Sequence, residues 1–392
     1  MGTTDSNDLR MYTDSIHYIT LSTKGVLEFL NTGNSVFIGL EAGGDDDFSV
    51  NANVGIGYQA LDSIVSGAGN CAIGTQTLKS SKTGSENVAI GPNSMTKNTS
   101  GTRNIGIGSQ ALHQNTSGFN NSAIGFRSLY SNTTGVYNVA HGSGALLRST
   151  TASFNTAIGV GASASSTTAE KNSCVGYYSF HNHKNGKENV AMGYYALFQD
   201  TSGDYNTAIG SYSMQKNFSG IRNVAIGYQS LVNSLGSGNV AIGHQAGYYE
   251  TGSNKLYIDN SGVATPLIYG DFANDDLVIN GDLSYTGNLT SLSDKRLKTE
   301  IQPFNKSLAV INTLKVYQFR YKEDLLRTVP FPSGIQTGLI AQDLEKVLPD
   351  LVHKHASDYK SVDYVGLLPH LVNAIQELSR EVDQLKADLR AK

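Results

Sequence analysis

The chain has 392 residues, 29 of them Lys or Arg and 33 Asp or Glu, for a formal net charge of −4. That balance excludes a domain that holds a nucleic-acid backbone through a basic surplus, two cysteines exclude a disulfide framework, and no apolar run approaches the ~18 residues of a membrane span. Only 16% of residues are charged and 42 are glycine, so what remains is a chain rich in turn formers yet long enough to bury a core.

The opening Met1-Gly2-Thr3-Thr4-Asp5 has neither a basic nor an apolar stretch, which predicts no secretory leader. Met1-Gly2 with Ser6 fits the outline of a myristoylation signal, but nothing else points to a membrane. Within residues 1–33, the runs 16–20 and 26–30 read as strands of an N-terminal cap or virion-docking segment.

Residues 34–254 carry a repeat of the form Asn-x-Ala-Ile-Gly. Its asparagines are Asn53, Asn70, Asn87, Asn104, Asn121, Asn138, Asn155, Asn172, Asn189, Asn206, Asn223 and Asn239, spaced by 17 residues except for a last step of 16. Disordered sequence does not hold such a period. Two apolar residues spaced by two, such as Val88 and Ile90 around Ala89, predict a short strand with those two facing the core. A third apolar position follows four residues after the glycine, at Leu61, Leu78, Met95, Leu112, Leu129, Leu146, Phe180, Leu197, Met214 and Leu231, with Ser163 and Gly247 breaking the series. Turn residues fill the rest. Such a unit is one coil of a β-solenoid, and some thirteen coils at ~4.8 Å would stack to about 60 Å. The asparagines would form a hydrogen-bonded ladder along the stack. A core of about three inward residues per coil is thin, which predicts trimerisation to thicken it. The pattern resembles the Asn-Ser-Val-Ala-Ile-Gly repeats of trimeric autotransporter adhesin heads, which are trimeric β-rolls with a shorter unit.

Other features of the repeat have bland readings. Glu41, Asp45, Asp46 and Asp47 read as a solvated loop, with a calcium site as the alternative. His141, His181 and His183 read as turn residues, although His181 and His183 could share a strand face as metal ligands. Cys71 and Cys174 read as buried thiols. The sequons at Asn98, Asn115 and Asn132 read as turns. Residues 255–292 lose the period, and their runs 256–259, 266–271 and 276–281 predict a β-rich stalk.

From residue 293 charged residues become common and helical periodicity appears. The segment holds Ser293-Asp294-Lys295-Arg296-Leu297-Lys298, then Gly338-Leu339-Ile340-Ala341-Gln342-Asp343 with Pro349 beyond it, then Val362-Asp363-Tyr364. Leu371, Ile375, Leu378, Val382, Leu385 and Leu389 step by four and three alternately, the seam of a coiled coil over about 365–392. Together these motifs resemble the intramolecular chaperone auto-processing domain, the S74 peptidase family of phage tailspikes, tail fibres and the myelin regulatory factor. Asp343 stands where the family commonly has glutamate. The resemblance implies a domain over residues 293–392 that trimerises, helps an upstream β-fold assemble and then cuts its own chain at the serine.

The residues support that chemistry independently. A serine hydroxyl needs a base, and a lysine serves once desolvation or nearby positive charge frees its amine. Ser293 and Lys298 are five apart, within reach of one turn. Arg296 either adds positive charge near Lys298 or pairs with Asp294. Ser293 can reach the preceding carbonyl through a five-membered ring, which makes Leu292–Ser293 the preferred scissile bond. The Ser293–Asp294 bond is the alternative for attack from another subunit. The same hexad also reads as a helix N-cap with Lys298 a solvated lysine.

The fold expected is mainly β: a trimeric β-solenoid or β-roll of 17-residue repeats, then a small α+β chaperone domain ending in a coiled coil. The function expected is a viral or phage trimeric fibre or tail appendage, a homotrimer docked to a virion or tail baseplate protein and reaching a host surface receptor, with a glycan as one candidate. Its place is the virion, after assembly in the host cytoplasm. No cofactor, metal, nucleic acid or membrane insertion is expected. A glycan-cleaving tailspike is the alternative enzyme, and it would need paired carboxylates in a groove. A fibre of a contractile injection system shares the architecture.

Overall fold

Each repeat lays down one three-residue strand followed by a glycine corner. Thirteen such strands, from Val36–Ile38 to Val240–Ile242, pair in parallel, and Lys255–Ile258 continues the stack. Ile268–Asp271 and Asp276–Ile279 then return antiparallel, completing a 16-stranded sheet. Register follows the sequence period: Val88 lies beside Ile105, Ile105 beside Ser122, and Ser122 beside Val139. The structure, a computed structural model, describes residues 9–13, 16–22, 24, 26–29, 33–47, 49–288, 290–322, 331–354 and 359–391. The chain is mainly β, with a solenoid of ~13 turns and few helices. Near the N-terminus, Leu9–Thr13, Ile16–Leu21 and Leu27–Phe29 form a separate antiparallel sheet. Leu30, placed in a strand by sequence, lies outside the described residues.

The strands are turned the other way round from the sequence expectation. The small middle residue faces inward and its apolar neighbours face outward: Ala89 is 0% exposed while Ile90 is 36% exposed. The same holds for Ala225 and Ile226. The reason is space. The interior is filled from the other side by the side chain four residues past the glycine, such as Leu78, Leu112 or Leu146, and all three are fully buried. Opposite that row only an alanine-sized residue fits at interior packing density.

Those inward leucines occupy left-handed backbone, with φ of 55° at Leu61, 51° at Leu112 and 50° at Leu146. A bulky side chain in that region costs on the order of 1–2 kcal/mol. Full burial of a leucine contributes roughly 1.5–3 kcal/mol in return, so the corner is held by packing.

The asparagines at the head of each strand form a buried ladder. Asn121 donates its backbone N–H to Asn104 Oδ1 at 3.0 Å, and its amide nitrogen to Gly135 O at 2.8 Å. Its own Oδ1 accepts from the backbone and side-chain nitrogens of Asn138 at 3.0 and 3.1 Å. Asn121→Ala would leave these groups orphaned in the interior, at a cost of about 2–5 kcal/mol. Asn121→Asp is isosteric, yet it points a carboxylate at Asn104 Oδ1 and Gly135 O, so it should destabilise at least as much. Denaturant midpoints of the two variants against wild type check this; an aspartate variant near wild type would contradict the ladder.

A second row runs through the turn. Asn115 donates to Asn98 Oδ1 at 2.8 Å and Asn132 to Asn115 Oδ1 at 2.7 Å, so all three sequon asparagines are buried rungs. Further along, His183 Nδ1 meets Asp200 Oδ1 at 3.0 Å, His183 Nε2 meets Gly186 O at 3.0 Å, and Asn217 donates to Asp200 Oδ2 at 2.6 Å.

The chain divides into two compact units, Met1–Asn280 and Gly281–Lys392. The second holds two small hairpins, Tyr317–Phe319 with Gln336–Gly338 and Val352–Lys354 with Lys360–Val362. Its long helix is Tyr364–Arg390, whose N-cap Asp363 accepts from Gly366 N–H at 2.8 Å. Glu377 on that helix takes the backbone N–H groups of Lys306, Ser307 and Leu308, at 2.6, 3.3 and 2.7 Å, and so caps the short helix Ser307–Ile311. The Leu308 N–H chiefly, with those of Lys306 and Ser307 and the Asn373 amide, holds the Glu377 carboxyl below its usual range. A carboxyl depressed on folding stabilises above its unfolded value and loses that contribution as pH falls through its folded one. The helical circular-dichroism melt of the full chain should therefore weaken on acidification below the ordinary glutamate value of 4.5. Glu377→Gln should melt earlier at neutral pH and show a flatter acid profile; an unchanged profile would mean that the cap does not matter.

Candidate active site

Ser293 and Lys298 flank a single turn of 3-10 helix, Lys295–Leu297. Asp294 is its N-cap and accepts from Arg296 N–H at 2.8 Å. The Arg296 guanidinium folds back on the same carboxylate, with Nη2 2.6 Å from Oδ2. Of the two roles open to Arg296, the structure takes the pairing with Asp294. Arg296's side chain first, then its backbone N–H, holds the Asp294 carboxyl below the usual carboxylate range. The carboxylate in turn raises Arg296. This closed pair fixes the turn, and the turn carries Lys298 back over Ser293, with Nζ 2.6 Å from Oγ.

The contact is open to solvent. Ser293 and Lys298 are both exposed, and Leu292 on the preferred scissile bond is 86% exposed. A lysine takes a proton from serine only when its own has been driven off by burial or nearby charge. The isolated chain thus supplies the nucleophile, a base within reach and an accessible bond, but not the desolvation.

The other predicted residues lie on separate elements. Asp343 sits in the short helix Ala341–Leu344, where its carboxylate takes the Tyr317 hydroxyl at 3.1 Å and Lys346 Nζ at 2.8 Å. Lys346 first, then Tyr317, holds the Asp343 carboxyl below its usual range. These bonds tie the helix to the strand Tyr317–Phe319. Gln342 is exposed on the same turn. Leu371, Ile375, Leu378, Val382, Leu385 and Leu389 all lie on the long helix, and all are exposed in the single chain. Glu377 escaped the sequence reading because its partners are about 70 residues away, and no local pattern marks a carboxylate that caps a distant helix.

The remaining candidates have structural partners. Asp46 is buried and accepts from the Asn51 amide at 3.0 Å, while Asp47 accepts from Ser49 N–H at 2.9 Å. His181 Nδ1 lies 2.8 Å from Gly161 O. His355, weighed in the sequence as an assistant to Ser293, lies outside the described residues. Among the described residues no group of His, Cys, Asp or Glu is placed to hold a metal, and no helix is long and apolar enough to cross a membrane.

Comparison with known proteins places the site in a family. Residues 293–353 match the family model described as chaperone of endosialidase, in the S74 peptidases. The long tail fiber protein Gp37 of Enterobacteria phage M1 is 37% identical over 106 residues, which is 26% of this chain and 41% of that protein. The Gp37 of Salmonella phage S16 is 28% identical over 113 residues, 28% of this chain and 15% of the other. Myelin regulatory factor homolog 1 of Caenorhabditis elegans is 33% identical over 120 residues, 30% of this chain and 13% of the other. The chain thus spans less than half the length of these relatives. Ser293, the residue under Lys298, is the first residue of the family match. The C-terminal segment of this chain carries an S74 peptidase domain, a chaperone of endosialidase.

Proposed function

We propose that the chain is a phage tail fibre or tail appendage whose C-terminal domain templates assembly of a homotrimer and then cuts itself free. The 2.6 Å contact between Lys298 Nζ and Ser293 Oγ carries the reading. It stands at the start of the segment that matches a self-cleaving chaperone family. In the proposed reaction Ser293 Oγ bonds to the Leu292 carbonyl carbon and the Leu292–Ser293 C–N bond breaks. The hydroxyl proton passes by way of Lys298 to the released amine, and water hydrolyses the resulting ester. Each chain acts once. Assembly of three chains supplies the burial that the open site lacks, so cutting waits for the trimer.

The logic of the design is registration. A repeat of 17 residues can slip by a whole coil at little local cost. The apolar seam on the long helix offers a clamp that holds three chain ends level while the coils zip. Cutting afterwards removes the clamp from the covalent chain, so that unfolding has no template for return and stability becomes kinetic. In this reading the N-terminal segment docks to a virion or tail baseplate protein, the solenoid or its tip meets a host surface receptor, and assembly takes place in the host cytoplasm. The relatives named as long tail fibres support this over the other readings. Intact and native mass of the purified full-length protein test it. The expected result is two fragments divided at residue 292 and a native mass of three chains. An uncut monomer would overturn the reading.

A further inference from the structure

We infer that the outward face of the solenoid strands is the surface along which copies of the chain meet. The inference rests on the oligomeric reading above and adds which surface does the work. The strands supply the first observation. From Val36–Ile38 to Val240–Ile242 none of the thirteen triplets contains Asp, Glu, Lys or Arg. Charges lie elsewhere on the coil, for example in the Arg103–Glu86 pair at 2.8 Å. A sheet face that meets water carries polar residues in alternation with buried ones. Here the outward places hold Val, Ile or Met in most coils, and Ile38, Ile124, Ile158, Met192 and Ile242 are among the exposed apolar residues.

The dimensions fit a stable contact. Some thirteen coils at ~4.8 Å, each three residues wide at ~3.3 Å, outline about 600 Å² per chain, or about 1,200 Å² across a pair, the lower end of stable interfaces. The occupant must match a row of apolar pairs repeated at the coil rise over the whole stack. A second copy of the chain has that rise by construction. The long helix shows a separate uncovered seam, including Ile375 at 67% and Leu389 at 74% exposed, which also asks for a helix of the same heptads. One occupant, the same chain, answers both surfaces.

The chain carries its own probe. Cys71 takes the first place in the strand Cys71–Ile73 and is half-buried on the strip. Cys174 takes a middle place, and burial pushes its thiol up to about 12, out of range of mild alkylation. A short bismaleimide added to the full-length protein should therefore yield covalent dimers through Cys71. Cys71→Ser should yield none. Cys71→Ser with Thr83→Cys, which moves the thiol to the exposed turn of the same coil, should yield few. Ile124→Asp should shift native mass toward the monomer. Trimers by native mass in which Cys71 stays unlinked while the Thr83→Cys thiol links would place the contact on another face and overturn the inference, with the trimer itself intact. Monomers by native mass would remove the oligomeric reading and the inference with it.

Discussion

Ser293→Ala should leave the chain whole at 41.8 kDa under conditions in which wild type is split at residue 292. Removal of Oγ removes the atom that forms the new bond, so no slow residual cut at this site is expected. Lys298→Met should differ in kind. It keeps Ser293 and the turn but removes the base, and positioned bases contribute about 10²–10⁴-fold. Cutting should slow by that factor and become visible only over long incubation. Lys298→Arg should be no better than Lys298→Met, because a guanidinium stays protonated and cannot accept the serine proton. Asp294→Ala should be intermediate, since it loosens the capped turn without touching either reacting group. Intact mass over time gives the rates, and native mass shows that each variant assembles. A trimeric Lys298→Met cut at the wild-type rate would remove Lys298 from the mechanism. A trimeric wild type that stays whole would leave the domain as a permanent clamp, with the fibre reading standing and the enzyme reading gone.

The parts of this molecule written in spacing were legible. Coil stacking follows from a fixed 17-residue step, and the asparagine rungs and the leucine row follow from residues of one type at one phase. Ser293 and Lys298 could be paired because five residues and one capped turn suffice. Sidedness was not legible. A triplet such as Val88-Ala89-Ile90 alternates under either assignment, and hydropathy favours burying the pair. What decides is volume across the coil, and that is set a corner away by the side chain four residues past the glycine, Met95, Leu112 or Leu129. The left-handed backbone of those residues was also hidden, since nothing in a leucine advertises a positive φ. The Glu377 cap and the Tyr317–Asp343 bond depend on residues far apart in sequence, and only the folded chain brings them together.

The largest effect on the solenoid should come from one methyl group at a corner. Gly108 has φ of 127°, a region that L side chains rarely adopt, and a Cβ there would lie 2.7 Å from Gly125 O and 2.8 Å from Gly125 C on the next coil. Both atoms are backbone, so relief means separating two coils whose strands are hydrogen-bonded to each other. Strain of about 1–3 kcal/mol and overpacking of about 1–3 kcal/mol then add in Gly108→Ala. A stack whose units contact only their neighbours is weakened at one interface by such a change, and its halves can then unfold apart. Denaturation should show two steps in place of one, with proteolysis appearing first near residue 108. Gly144→Asn is the matched control. Gly144 has φ of 67°, nothing lies within 4 Å of its added Cβ, and the same place in other coils holds Gln110 and Arg127 with φ of 60° and 54°. Asparagine tolerates that backbone, so the change should stay within about 1 kcal/mol of wild type. Equal losses in the two variants would show that glycine serves these corners only by its flexibility. A loss confined to Gly108→Ala would show that the coils touch backbone to backbone there, which is the closeness that lets a core of one alanine and one leucine per turn hold a stack together.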